Sequence, residues 1–143
     1  MIRKIILEGT DAVGKTSVAQ ALLAEGITVS DRSRDVISKY MLFSVDMPTR
    51  VRIYEEYLRE NDVLVIFLVN NDSSEIMRRV YSRERISEFD KLADKYNTLY
   101  LDTYREMERA SVTCGKLLLA DCTGLTLSEQ IALVKGLIKE KQG

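Results

Sequence analysis

Gly9-Thr10-Asp11-Ala12-Val13-Gly14-Lys15-Thr16 fits the pattern G-x-x-x-x-G-K-[ST], between the apolar run Ile5-Ile6-Leu7 and the helix-like stretch Ser17–Ala24. Strand, glycine-rich turn and helix, in that order, are the context in which this pattern carries meaning. Gly9 and Gly14 let the backbone turn so that successive N–H groups face inward, where a helix N-terminus attracts phosphate oxygens. The expected phosphate contacts run through Gly9, Asp11, Ala12, Val13, Gly14, Lys15, Thr16 and Ser17. Lys15 would meet the β- and γ-phosphates of a nucleotide, and the Thr16 hydroxyl would bind Mg²⁺. A plain glycine turn is the competing reading, and the flanking strand and helix weigh against it.

The chain has 143 residues, enough for one domain spanning 1–143 with a sizeable core. Apolar residues make up 45% and charged residues 30%, the balance of a globular protein and not a disordered one. A net charge of −1 argues against a broad electrostatic grip on nucleic acid. No apolar run approaches a membrane span and no signal-peptide pattern opens the sequence, so a cytoplasmic protein without membrane contact is expected. Cys114 and Cys122 flank an expected strand, which holds them about 25 Å apart, too far for a disulfide. Histidine is absent, which excludes Ser-His-Asp and Cys-His nucleophile pairs. The chemistry must use carboxylates, Lys, Arg, hydroxyls and a bound metal.

Working outward from the loop, Ile2–Glu8 reads as a strand covered on both faces and as the central one. Val18, Ala19, Leu22 and Leu23 form the packing face of the helix that follows, which Gly26 ends. Ile27–Asp31 is a second brief strand, and 34–45 has helical spacing. Pro48 suits the first turn of a helix reaching Glu60 with Val51, Tyr54 and Leu58 inward, before the strand Val63–Val69. Asp72-Ser73-Ser74-Glu75 reads as a capping box opening a helix with Ile76, Met77 and Val80 inward. Phe89, Leu92, Tyr96, Leu99, Tyr100, Thr103 and Met107 mark a long helix from about Ser87 to Arg109, its tyrosines read as core or rim residues in preference to a base-stacking platform. Gly115–Ala120 is the last strand, and a second capping box, Thr126 with Glu129, opens a helix burying Ile131, Val134, Leu137 and Ile138. Alternating strands and helices imply a parallel sheet with helices on both faces and ligands at the carboxyl edge of its strands.

Three segments resemble the thymidylate kinase family. Leu7–Thr16 is similar to its phosphate loop, Asp31-Arg32-Ser33 to its Asp-Arg-Tyr/Ser motif, and Arg79, Arg83 and Arg85 before a long helix to its arginine-bearing lid. The resemblance implies a P-loop NTPase-type three-layer α/β/α fold with a mainly parallel four-stranded sheet in the order 2-1-3-4. It also implies ATP and Mg²⁺ as cofactors and a nucleoside or nucleoside monophosphate as acceptor, in a protein that tends to dimerise. Two departures stand out. The family's Arg-Glu-Pro segment is missing, since only Ile27–Ser30 separates Gly26 from Asp31, and Ala12 stands where some members carry a catalytic arginine.

On that resemblance Lys15 offsets charge on the transferred group, while Thr16 and Asp31 serve the metal. Asp31 would alternatively hold a hydroxyl acceptor, and Arg32 would orient an acceptor anion. Arg79, Arg83 and Arg85 would close over the phosphates, unless they simply pair with neighbours such as Glu84 and Glu88. Asp121–Gly124 is similar to the family's adenine-contacting turn. Three activities follow as expectations: a small-molecule kinase, a nucleotide-binding module that has lost transfer and acts through a protein partner, or a kinase of 5′-hydroxyl nucleic-acid ends.

Overall fold

A computed structural model describes residues 4–10, 13–30, 44–88 and 90–142. Its centre is a parallel sheet of three strands, β1 (Lys4–Glu8), β2 (Val63–Val69) and β3 (Leu117–Asp121), in the order β1-β2-β3. Ile6 stands opposite Val65, and Phe67 opposite Leu119. All seven residues of Val-Leu-Val-Ile-Phe-Leu-Val in β2 are buried, as a strand paired on both sides and covered on both faces demands. Each such side chain contributes roughly 1.5–3 kcal/mol by leaving water.

The central place was expected for β1, and among the described strands β2 takes it. On its outer side β1 meets a single parallel bridge at Ser30, made by Leu7 N–H to the Ser30 carbonyl at 2.7 Å and Ser30 N–H to the Ile5 carbonyl at 2.9 Å. The expected strand Ile27–Asp31 is therefore one bridge long within the described residues. Most of the helix expected at 34–45, and Phe89, lie outside them.

Among the described residues the α-helices are α1 (Lys15–Ala24), α2 (Met47–Glu60), α3 (Ser73–Tyr81), α4 (Ala93–Arg109) and α5 (Leu127–Gln142), of which α3 packs on the start of α4. Alternation along β2 sorts the core into two layers. Leu64, Ile66 and Leu68 pack with Val18 and Leu22 of α1 and Val134 and Ile138 of α5. Val63, Val65, Phe67 and Val69 pack with Tyr54 and Leu58 of α2 and Tyr96, Tyr100 and Met107 of α4. Phe67 meets both Tyr54 and Tyr100 edge to face, at centroid distances of 5.3 and 5.2 Å.

Local signals set most helix ends. Asp46 caps α2 by accepting the Thr49 N–H at 2.9 Å, with Pro48 in the first turn. Thr126 and Glu129 form the reciprocal box ahead of α5, at 3.0 and 3.2 Å. Gly26 adopts φ +81 just past α1, where a left-handed residue closes a helix.

Four expectations need correction. Leu23 is 61% exposed, because Val18 and Leu22 already fill the buried stripe of so short a helix. The box at Asp72 is half formed: Asp72 accepts the Glu75 N–H, but the Glu75 carboxylate is taken by Arg78 and Arg79, and the Asn70 side chain accepts the Asp72 N–H instead. The long helix begins at Ala93, since Ser87 and Asp90 cap a 3₁₀ turn, Asp90–Leu92, before it. The last strand is Leu117–Asp121, shifted from Gly115–Ala120 because Gly115, at φ +65, belongs to the preceding turn. Cys114 is exposed, Cys122 is buried, and both are free thiols. No described helix is long and apolar enough to cross a membrane.

Candidate functional site

Because the three strands are parallel, their carboxyl ends share one edge, and the glycine-rich loop leaves β1 there. Two glycines shape the turn. Gly9 has φ +151, and a Cβ on it would stand 2.6 Å from the Leu68 carbonyl oxygen of the neighbouring strand. Gly14 has φ +84 and is the N-cap of α1, with no side-chain cap. A Cβ there would meet the Gln130 Oε1 at 2.8 Å. Gly9 thus excludes a side chain by conformation and by contact with fixed backbone, whereas at Gly14 the conformation excludes one and the Gln130 side chain would have to shift.

Between them Val13 is fully buried in the α1/α5 layer, and its N–H bonds the Thr10 carbonyl at 3.2 Å. The loop is thereby anchored from below. Lys15 is 5% exposed, and its ammonium donates to the Gly9 carbonyl at 3.1 Å, closing the turn end to end. Thr16 and Ser17 are exposed in the first turn of α1. This is a helix N-terminus with no acidic residue in its first turn, led by a lysine folded back across a glycine turn. Such a constellation can take an anion through backbone N–H groups and the helix dipole.

Of the loop residues, Asp11 and Ala12 lie outside the described residues, as do Asp31 and Arg32. Ser30, the last described residue before that pair, bridges to Ile6 in the middle of β1. The arginines are engaged locally. Arg79 Nε donates to the Glu75 carboxylate at 3.1 Å, and Arg83 pairs with Asp90 at 3.5 Å, not with Glu84 or Glu88. Arg85 is exposed. Arg79 is near enough to bear on Cys122, whose thiol is pushed up to about 11 by burial and by Asp121, with Arg79 opposing.

The turn after β3 is tied to the end of β2. Thr123 donates to the Asp121 carboxylate through its N–H at 3.1 Å and its hydroxyl at 2.6 Å, and accepts the Asn71 N–H at 2.8 Å. Asn97 of α4, buried, accepts the Asn70 N–H and donates to the Asn70 carbonyl, at 2.9 and 2.7 Å. These bonds fix the edge at Asn70–Asn71, beside the Leu68 carbonyl that confines Gly9.

Glu8, the last residue of β1, is 1% exposed and accepts the Tyr54 hydroxyl at 3.0 Å. Burial first, then the Glu8 charge, raise the Tyr54 pKa well above normal, so the phenol stays a donor. One turn back, the buried Arg50 donates to Thr103 and to the Val45 carbonyl, both at 2.9 Å.

Asn97, Gln130 and the Glu8–Tyr54 pair were not singled out from the sequence. Their shared signal was a polar residue inside an apolar stripe, as with Gln130 ahead of Val134 and Ile138. Among the described residues, no group of three or more His, Cys, Asp or Glu is placed to hold a metal ion. The Thr16 hydroxyl, a hard oxygen donor, fits Mg²⁺, which takes one or two protein ligands plus phosphate and water. No protein-family model matches the chain, and no curated protein matches it either.

Proposed function

We propose that the chain is a small kinase that moves the γ-phosphate of ATP, with Mg²⁺, to a nucleoside, a nucleoside monophosphate or a related small acceptor, as thymidylate kinases do. The observation that carries this reading is the Lys15 ammonium, held buried at the Gly9 carbonyl across a turn where Gly9 and Gly14 both adopt positive φ. A polyphosphate entering that turn offers Lys15 a charged oxygen in place of a neutral carbonyl, the stronger of the two bonds.

In this reading backbone N–H groups from Gly9 to Ser17 hold the phosphates, and Thr16 and Asp31 hold Mg²⁺, which neutralises developing charge when bound. Arg32 orients the acceptor. Arg79, Arg83 and Arg85 add charge to the transferring group once the acids now paired with Arg79 and Arg83 release them. A strand at the Ser30 bridge would make the sheet four-stranded in the order 2-1-3-4. The protein works in the cytoplasm, alone or as a homodimer.

A second reading draws on a specific observation. Arg79 and Arg83 are already ion-paired with Glu75 and Asp90. A nucleotide-binding module acting through a protein partner needs neither arginine released. Transfer of labelled γ-phosphate from ATP·Mg²⁺ to nucleosides, nucleoside monophosphates and 5′-hydroxyl oligonucleotides separates the possibilities. The kinase reading expects one small acceptor to be labelled, and Lys15→Ala to lose roughly a hundredfold or more of the rate. ATP binding without transfer to any acceptor would favour the module, and labelling of the oligonucleotide alone would move the acceptor class to nucleic acid.

A further inference from the structure

Gln130 lies one turn into α5, 1% exposed, in a buried stripe with Val134 and Ile138. Its side-chain oxygen has no hydrogen-bond partner. Native interiors hold few such groups, because a buried acceptor without a donor costs free energy that an apolar side chain of equal volume would not. The same oxygen is the atom a Cβ on Gly14 would strike, at 2.8 Å, with the Leu127 Cδ1 at 4.0 Å from that point. The unsatisfied atom is therefore aimed at the residue that precedes Lys15 and caps α1.

We propose that Gln130 is a positioning residue for the phosphate loop: α5 presses a carboxamide against Gly14 and holds that peptide in its left-handed conformation before any phosphate arrives. The inference rests on the phosphate-binding reading of Gly9–Thr16. Gly14 has no side-chain cap to fix it, and a glycine in the left-handed region is free to leave it. The planar carboxamide limits that freedom, and it contributes a weak contact of the Cα–H···O kind besides. Holding the loop in shape lowers the ordering cost of binding, which appears as affinity for the phosphates themselves and not for the base.

The test compares the intact wild-type chain with Gln130→Met and Gln130→Glu, measuring thermal midpoint and calorimetric affinity for ATP and for inorganic tripolyphosphate. Methionine keeps the volume but is flexible and needs no donor. Gln130→Met is expected to melt no lower than wild type, yet to bind ATP and tripolyphosphate about tenfold more weakly, by a common factor. Gln130→Glu, which sets a negative charge beside the loop, is expected to bind both more weakly still. Unchanged affinity in Gln130→Met would overturn the proposal, and so would a loss confined to ATP, which would make Gln130 a reader of the base. Failure of the wild-type chain to bind either probe would instead remove the phosphate-binding reading, and the proposal with it.

Discussion

The loop at 9–16 and the arginine-bearing stretch at 78–85 both carry positive groups suited to phosphate, and they are built in opposite ways. In the loop the determinants are backbone: two glycines pressed against Leu68 and Gln130, a buried Val13 beneath, and Lys15 folded onto a carbonyl. In the arginine stretch they are exposed or half-buried side chains, and Arg78, Arg79 and Arg83 are matched to acids nearby in sequence. A site made from backbone and core resists local rearrangement, because moving it disturbs the packing of both α1 and α5. One made from surface ion pairs can re-pair at little cost. The first is suited to holding a ligand, the second to changing partners.

The contrast breaks most visibly at Gly9. Gly9→Ala drives a Cβ into the Leu68 carbonyl, so it should cost about 2–3 kcal/mol in denaturant unfolding and weaken ATP binding at least tenfold. Gly26→Ala shares the positive φ but meets nothing within 4 Å, so about 1 kcal/mol of conformational strain with unchanged binding is expected. Equal effects on binding at the two glycines would mean that left-handed conformation alone, and not the crowding at the strand edge, governs the loop.

A smaller effect is expected beneath the loop. Tyr54→Phe removes the hydroxyl donor to the buried Glu8 carboxylate and should cost about 2 kcal/mol, read by the same unfolding measurement. A neutral result would show that Glu8 does not depend on Tyr54.

The smallest change belongs to the arginine stretch. The hydrogen bonds from Arg78, then Arg79, hold the exposed Glu75 carboxyl down to about 2. A group depressed in the folded state stabilises the fold above its ordinary pKa, and that contribution disappears as pH falls through about 2. Carboxyl titration by NMR should place the Glu75 midpoint near 2, and Arg78→Ala should move it upward with little change in melting temperature. A midpoint that ignores Arg78 would sharpen the comparison against ion pairing on this helix.

Legibility in the sequence follows the same division. The glycine pattern, Pro48 in the first turn of α2, the Thr126–Glu129 box ahead of α5 and the apolar run of β2 are local and short-range, and each stands where its residues indicate. What escaped reading depends on neighbours far along the chain. Gln130 is an ordinary helix residue until α5 is laid against Gly14. Asn97 reads as a flaw in an amphipathic stripe until it meets the backbone of Asn70. Glu8 ends an apolar run, and only the approach of α2 supplies the Tyr54 hydroxyl. The central place of β2 among the described strands was equally non-local, since its second partner, β3, lies far along the chain. Arg79 and Arg83 illustrate the converse: nearby acids in sequence were anticipated, but the helix sets Arg79 against Glu75 one turn back, and the chain beyond it brings Arg83 to Asp90.

The most direct test of the central claim is to follow backbone amide resonances of the intact chain while ATP·Mg²⁺ is added. The account predicts saturable shifts concentrated in Gly9–Ser17, with a weaker set at Asp121–Gly124, and their loss in Lys15→Ala. Shifts confined to other segments, or no saturable change in the amides from Gly9 to Ser17, would contradict it.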